Sequence, residues 1–213
     1  MTSPRLLTFD LFGTVVDWRT GLTSALGVAL DEAAFERVID FQARDEQAAF
    51  RPYAEIVARS LTDVLGVAPE RARAIGDGAG EWPVFADAPS AFARLLAHAP
   101  CGATTNSDLA HRPAIERQLG RALEPWICAG EVGAYKPDAR IWEAAARATG
   151  ESFGPAWWHV SAYADYDLAT ARRLGLTTVL IRRPHHRPGT PDLVDRTFDD
   201  LAALVSTIEH EIC

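Results

Sequence analysis

Helical segments and short apolar runs alternate along the chain from Trp82 onward, and this alternation constrains the fold more than any other feature. Four apolar runs are predicted to be strands, at Cys101–Thr105, Trp126–Ala129, Trp157–Ser161 and Thr177–Ile181. Between and around them lie helical patterns at Ala88–Ala97, Leu109–Leu119, Pro137–Ala148 and Asp167–Leu174. Such alternation is typical of βαβ units and a parallel sheet. With a further buried strand at residues 5–10, we predict an α/β fold with a doubly wound, Rossmann-like parallel sheet.

Residues 17–80, between the first strand and the alternating region, have a different composition. Ala, Leu, Glu, Arg and Gln dominate this segment, and apolar residues such as Phe35, Val38 and Ile39 recur at helical spacing. Gly66 ends one predicted helix and Pro69 begins the next. We therefore predict that residues 17–80 form an all-helical insertion in a core made of residues 1–16 and 81–213.

The overall composition limits the classes of partner. The chain has 213 residues with a formal net charge of −8, which argues against nucleic acid as a general partner. Its three cysteines, Cys101, Cys128 and Cys213, have no metal-binding spacing and suit a reducing compartment. No secretory leader and no apolar run of the roughly 20 residues that a membrane helix needs is visible. We expect a cytoplasmic protein without a membrane partner.

The first strand ends in an aspartate, Asp10, followed by Gly13 and Thr14. Ligands of open α/β sheets bind in the crevice outside the carboxyl ends of the strands. Gly13 allows the chain to turn sharply there. A carboxylate held at this place can act as a nucleophile and form an ester or acyl phosphate that water later cleaves. Taken alone, the stretch is equally compatible with an Asp10 that only caps the turn.

Two later segments place polar groups at similar points. Thr105 and Asn106 follow a predicted strand, where hydroxyl, amide and backbone N–H groups suit an anion, although helix capping is the common use of such residues. Lys136 precedes Pro137, and an ammonium fixed there can neutralise a carboxylate nucleophile and a bound anion together. A lone lysine is otherwise usually a surface residue.

The fourth segment runs from His159 to Asp167 and also follows a predicted strand. Asp167 stands at the start of the next helix, with Ser161 and Tyr163 before it. A role as helix N-cap is the alternative for Asp167, and Asp165 is the nearest competing acid.

These four segments, in this order, resemble the motifs of the haloacid dehalogenase superfamily, and residues 9–18 are most similar to the branch of type II 2-haloacid dehalogenases. The resemblance implies a helical cap over the active site, an Asp10 nucleophile and a homodimer. It implies catalytic roles for Asp10, Thr14, Lys136, Asp167 and Ser161. The substrate contacts that it implies are Leu11, Phe12, Thr105, Asn106 and Tyr163. In these enzymes the aspartate equivalent to Asp167 helps to activate the hydrolytic water.

Two departures from the superfamily pattern separate its chemistries. The phosphatases carry a general acid two residues after the nucleophile, and this chain has Phe12 there, which cannot donate a proton. They also hold Mg²⁺ with acidic residues of the fourth motif, and Ala162 occupies the first of those positions. Tyr163 stands roughly where the dehalogenases carry asparagine, and the loop is one residue longer.

The resemblance also implies a cap arginine that binds halide or the substrate carboxylate, for which Arg44 and Arg51 are the candidates. We expect a hydrolase that releases halide from small 2-haloacids without metal or cofactor, acting on a small anionic substrate. An Mg²⁺-dependent phosphatase with Asp10 and Asp167 as ligands is one alternative. A non-catalytic binding module is the other.

Overall fold

The core of the molecule is a six-stranded parallel sheet. The structure, a computed structural model, describes residues 3–212, so Cys213 lies outside the described residues. The strands are β1 Leu6–Phe9, β2 Cys101–Thr105, β3 Trp126–Cys128, β4 Trp157–Ser161, β5 Thr177–Ile181 and β6 Arg196–Phe198. Their order is β3-β2-β1-β4-β5-β6, and every neighbouring pair is parallel. The chain therefore winds outward from β1 in both directions, which confirms the predicted doubly wound fold.

Ten α-helices accompany the sheet in the described part of the chain. They are α1 Trp18–Leu26, α2 Glu32–Glu46, α3 Tyr53–Leu65, α4 Pro69–Asp77, α5 Ala88–Leu95, α6 Arg112–Leu119, α7 Ala129–Val132, α8 Arg140–Thr149, α9 Ala169–Arg173 and α10 Leu201–Ile212. Within residues 3–212, none of these helices combines the length and apolar character that a membrane crossing needs.

Helices α1 to α4 lie between β1 and the return of the chain to the sheet. Their buried faces do not form a core of their own, because one hydrophobic cluster contains Leu7 and Phe9 of β1 together with Phe35 and Ile56 of α2 and α3. The division of the chain into two domains at residues 17 and 80 stays a prediction.

The start of α3 is held by the core. Its first backbone N–H groups, on Tyr53 and Ala54, donate to the two oxygens of Asp108, at 3.0 and 2.9 Å. Asp108 follows β2, so a core carboxylate satisfies the N–H groups that every helix start leaves unpaired. The Tyr135 hydroxyl adds a 2.8 Å hydrogen bond to the carbonyl of Arg51. Both contacts fix the corner between α2 and α3 above the carboxyl ends of the strands.

Candidate active site

Asp10 lies at the end of β1, the central strand, and is almost fully buried. Its backbone N–H donates to Val160 of β4, at 2.9 Å. The Thr14 hydroxyl donates to Asp10 Oδ2 at 2.6 Å and accepts from the backbone N–H of Ala162 at 2.9 Å. The tight turn between Asp10 and Thr14 depends on Gly13, whose φ is +93°, and a Cβ there would lie 2.0 Å from the hydroxyl oxygen of Tyr163. Asp10 is thus held through its backbone by β4 and through its carboxylate by Thr14.

Lys136 connects two carboxylates beneath the cavity. Its Nζ donates to Asp10 Oδ1 at 2.9 Å and to Asp167 Oδ2 at 2.7 Å, and its side chain is fully buried. Its backbone N–H donates to Asn106 Oδ1 at 2.7 Å, which fixes the chain just before α8. Lys136 is the only lysine among the 21 lysines and arginines of the chain. An ammonium is a compact point charge, and a planar guanidinium is a larger group with a different donor geometry.

The hydrogen-bonded chain continues below Asp167 into the sheet. Asp167 Oδ1 lies 2.9 Å from His159 Nε2, and His159 Nδ1 lies 2.9 Å from the hydroxyl of Thr8. The indole N–H of Trp157 donates to the same hydroxyl, at 2.8 Å. Because Asp167 is ionised, His159 Nε2 carries the ring proton that this bond needs. Both oxygens of Asp167 are therefore used inside the protein.

One cation between two buried carboxylates sets the ionisation of this group. Burial raises the pKa of Asp10, Lys136 opposes that effect, and the Asp167 charge adds to it. Burial also acts on Asp167, but Lys136 and His159 outweigh it and lower its pKa to about 2. Burial alone lowers the pKa of Lys136, but the Asp10 and Asp167 carboxylates raise it above its usual value. Lys136 is therefore a permanent cation beside Asp10.

A cavity of about 370 Å³ opens over Asp10, between the core and the insertion. Its core side carries Asp10, Phe12, Asn106, Lys136, Pro137, Tyr163, Asp165, Tyr166 and Arg187. Its insertion side carries Trp18, Ile39, Gln42, Ala43, Glu46, Gln47 and Tyr53. Half of these lining residues are apolar or aromatic and half are polar or charged, a mixture that suits a small polar ligand.

Glu46, the last residue of α2, contributes a half-buried carboxyl to this cavity. Asn106 Nδ2 donates to Glu46 Oε2 at 3.0 Å, across 60 residues of sequence. Burial raises the pKa of Glu46 to about 8, against the opposing effects of the Asn106 hydrogen bond and the Lys136 charge. At neutral pH this side chain is mostly a neutral carboxylic acid.

The structure brings together many of the residues predicted from the sequence. Asp10, Phe12, Asn106, Lys136 and Tyr163 line the cavity. Thr14 and Asp167 lie behind it, bonded to Asp10 and Lys136.

The other predicted residues lie elsewhere. Leu11 is fully buried in the hydrophobic cluster, and Thr105 is buried with its hydroxyl 3.3 Å from that of Ser107. Ser161 is also buried and accepts the backbone N–H of Tyr163, at 3.1 Å. None of these three lines the cavity. Of the two competing acids in the fourth segment, Asp165 faces the cavity and Asp167 faces the sheet.

The two candidates for the predicted substrate-binding cap arginine do not line the cavity, and the role itself stays a prediction. Arg44 is exposed and Arg51 pairs with Asp45 and Glu55, at 3.2 and 3.4 Å, so neither lines the cavity. α2 turns its Ile39, Gln42, Ala43 and Glu46 face inward, which leaves Arg44 on the outer face. Arg187, from the loop after β5, is the arginine found in the cavity wall.

Sequence reasoning missed four residues of this arrangement, namely Thr8, Glu46, His159 and Arg187. Thr8 and His159 are cross-strand partners in the β1–β4 register, so a correct strand alignment would have paired them. Glu46 and Arg187 reach the cavity only through the packing of α2 and of the loop after β5. No local signal indicates either.

Comparison with known proteins agrees with the resemblance seen in the sequence. The sequence pattern of haloacid dehalogenase-like hydrolases matches residues 4–175. No match was found among the curated proteins.

Solved structures resemble the chain over nearly its whole length. A defluorinating L-2-haloacid dehalogenase has a TM-score of 0.82 at 21% identity, covering 98% of this chain and 99% of its own. The L-2-haloacid dehalogenase from Xanthobacter autotrophicus with chloropropionic acid covalently bound has a TM-score of 0.81 at 13% identity, covering 97% and 98%. The putative hydrolase YfnB from Bacillus subtilis, bound to magnesium, has a TM-score of 0.78 at 14% identity, covering 98% and 100%.

At these identities the solved structures establish the fold, and the matched sequence pattern establishes the family. The strand-end aspartate, the buried lysine and the helical insertion all fit that assignment. The chain belongs to the haloacid dehalogenase-like hydrolases.

Proposed function

We propose that this protein hydrolyses the carbon–halogen bond of small 2-haloacids through an ester on Asp10. The observation that carries the proposal is the geometry of Asp10. One oxygen is held by Lys136 and the other by Thr14, at 2.9 and 2.6 Å, while the carboxylate borders a cavity of about 370 Å³. A carboxylate fixed in this way is oriented for attack on a carbon atom placed in the cavity.

In the first step, an oxygen of Asp10 forms a bond to C2 of the substrate, and the halide departs with the electron pair of the broken bond. Phe12 closes one side of the cavity and gives Asp10 an apolar neighbour. Exclusion of water there strengthens the nucleophile, because a hydrated carboxylate must first lose its water.

In the second step, water attacks Cγ of the Asp10 ester and releases a 2-hydroxyacid, a proton and the free carboxylate. Lys136 stabilises the oxyanion that develops on the ester carbonyl, because its ammonium already lies at hydrogen-bond distance from that oxygen. Asp167 and His159 hold Lys136 in place. The sequence predicts that Asp167 helps to align the water, and we propose that it does so through its hydrogen bond to Lys136.

The residues present fit Mg²⁺ poorly. Mg²⁺ requires near-octahedral oxygen ligation and usually one or two protein carboxylates. Asp167 has both oxygens committed to Lys136 and His159, and Ala162 offers no side-chain oxygen. Within residues 3–212 no three His, Cys, Asp or Glu side chains are grouped as metal ligands.

The test is the release of halide and phosphate by one enzyme preparation, with excess EDTA or with added Mg²⁺. We expect halide from 2-chloropropionate at about the same rate in both conditions, and little phosphate from monoesters in either. Phosphate release that depends on Mg²⁺, without halide release, would replace our proposal with a phosphatase. No activity on either panel would favour a binding module.

Isotopic labelling tests whether water attacks the Asp10 ester or the substrate carbon. A single turnover in ¹⁸O-labelled water should place the label in the Asp10 peptide and leave the product 2-hydroxyacid unlabelled, since water attacks Cγ. Label in the product alone would mean that water attacks C2 directly and that Asp10 is not the nucleophile.

We also propose a cytoplasmic location and a homodimer. The thiols of Cys101 and Cys128 are free and buried, which suits a reducing compartment. Analytical ultracentrifugation tests the dimer, and a single species at 23.2 kDa would exclude it.

A further inference from the structure

The wall of the cavity formed by α2 contains one acid, Glu46. The other side chains that α2 contributes there are Ile39, Gln42 and Ala43. Gln42 already donates to the hydroxyl of Ser60, at 3.0 Å. Glu46 is therefore the polar group of this wall that is best able to meet a substrate.

We propose that Glu46 donates a hydrogen bond from its unpaired oxygen to the departing group, so that the insertion supplies a donor that Phe12 cannot. This inference rests on the proposed function and extends it to poor leaving groups, above all fluoride.

The hydrogen bonds of Glu46 locate its proton. Asn106 Nδ2 donates to Oε2, so Oε2 acts as the acceptor of the carboxyl group. Oε1 has no hydrogen-bond partner among residues 3–212. Asn106 is itself fixed, since its Oδ1 accepts the backbone N–H of Lys136 at 2.7 Å. The hydroxyl of the acid is therefore on the free oxygen, and a fixed amide holds the other.

Asp10 and Glu46 line the same cavity and lie within electrostatic range of each other. A carboxylate displaces a halide from the face opposite to the breaking bond. Asp10 lies on the core side of the cavity and α2 on the insertion side. A halide displaced by Asp10 leaves on the far side of C2, within the cavity whose lining includes Glu46.

The donation needs no additional reactant. The bond from Asp10 to C2 forms, the carbon–halogen bond breaks, and the halide takes the electron pair and accepts a hydrogen bond from Glu46 Oε1–H. The proton stays on Glu46, so the group is ready for the next turnover. Fluoride is the halide that accepts hydrogen bonds most strongly and leaves least readily, and it gains most from this donor.

Ionisation of Glu46 removes the donor and puts a second anion beside Asp10. The charged groups that act on Glu46 are Asp10 and Lys136. The phenols of Tyr53, Tyr135 and Tyr166 also lie within its electrostatic range, and burial keeps each of them neutral by raising its pKa. Asp165 and Arg187 complete the charged groups of the cavity wall. Glu46, whose pKa burial raises to about 8, is expected to change charge between pH 7 and 9.

The kinetic experiment compares two leaving groups, fluoride and bromide, in wild type and three variants. We expect Glu46→Ala to lower kcat by about 10²-fold with 2-fluoropropionate and by clearly less with 2-bromopropionate. Glu46→Gln keeps an N–H donor, so its kcat with 2-fluoropropionate should fall between wild type and Glu46→Ala. It should also lose the alkaline decline of wild type near pH 8. Glu70→Gln is the matched control, because Glu70 is exposed on α4, and it should behave as wild type.

A second measurement does not depend on turnover. Infrared difference spectra of wild type against Glu46→Gln at pH 7 should show the carbonyl band of a protonated carboxylic acid. Added sodium fluoride should shift that band, and raising the pH to 9 should remove it.

The two measurements separate failure of the inference from failure of the proposed function. Halide release by wild type with an equal loss for fluoride and bromide in Glu46→Ala, or with no fluoride-sensitive band, overturns the role of Glu46. A fluoride-sensitive band without any halide release overturns the dehalogenase function and supports Glu46 as an anion-binding acid.

Discussion

The two sides of the cavity differ in how completely their polar groups are satisfied. On the core side, Asp10, Lys136, Asp167 and His159 use all their side-chain polar atoms in bonds of 2.6–2.9 Å. On the insertion side, Glu46 makes one hydrogen bond and keeps one oxygen free. A fully satisfied buried network is rigid, and a half-satisfied group can respond to a ligand. The core thus holds its charged groups in place, while the insertion leaves one oxygen of Glu46 available to a ligand.

The largest expected effect comes from Asp10→Asn. The amide still accepts from Lys136 and leaves the fold intact, but it is a far weaker nucleophile, so halide release should fall by about 10⁴-fold or more. Steady-state halide assays measure this, with thermal unfolding as the control for folding. A variant that retains most of its activity would remove Asp10 from the mechanism.

Replacement of Lys136 tests how far Asp10 and Asp167 depend on the ammonium that they share. Lys136→Ala should lower the rate by about 10²–10³-fold, because the developing oxyanion loses its fixed charge. It should also lower the free energy of unfolding by roughly 3–5 kcal/mol, since two buried carboxylates lose their partner.

Lys136→Arg sharpens the same test. It keeps the charge but forces a larger, planar group into a fully buried site, so it should also be impaired. If Lys136→Arg releases halide as fast as wild type, the positive charge at this position is sufficient and the size of the side chain is unimportant.

The decrease in folding stability at low pH should depend on Asp167. Its pKa is lowered from 3.8 to about 2, so it contributes stability above pH 4 that is lost as the pH falls toward 2. Asp167→Asn removes this dependence, and the gap in melting temperature between wild type and variant should narrow as the pH falls from 5 to 2. A constant gap over that range would contradict the ion pair.

The smallest expected effect is the pH dependence of stability caused by Glu46, and it runs in the opposite direction to that of Asp167. Its pKa is raised from 4.5 to about 8, so the stabilisation of its neutral form is complete below pH 4.5 and is lost as the pH rises through 8. Glu46→Gln cannot ionise, so its melting temperature relative to wild type should rise between pH 5 and 9. Glu70→Gln should show no such trend.

The contrast between the two sides also explains what the sequence could predict. The strands Cys101–Thr105, Trp157–Ser161 and Thr177–Ile181 are observed with the predicted limits, because short apolar runs carry a strong signal. Asp10, Asn106 and Lys136 follow strands or precede a helix of a parallel sheet, so their meeting follows from the topology.

Other parts of the fold carry weaker or misread signals. The helix predicted from Pro137 begins at Arg140, and the one predicted from Leu109 is α-helical only from Arg112, because both segments open with turns. Strand β6 is three residues long at the sheet edge and has no fully buried residue, so it offers no alternation to detect. Helix α10 was missed although Leu201, Leu204, Val205 and Ile208 have helical spacing.

The single lysine has a practical consequence for following the motion of this protein. Reagents that acylate amines modify lysine side chains only when these reach solvent, and the Lys136 side chain is fully buried. The extent of acylation at this one position, followed over time by peptide mass spectrometry, therefore counts the openings that expose the catalytic centre. The other 20 basic side chains are arginines, which do not react with these reagents. The rate of acylation at Lys136 therefore reports how often the active site opens to solvent.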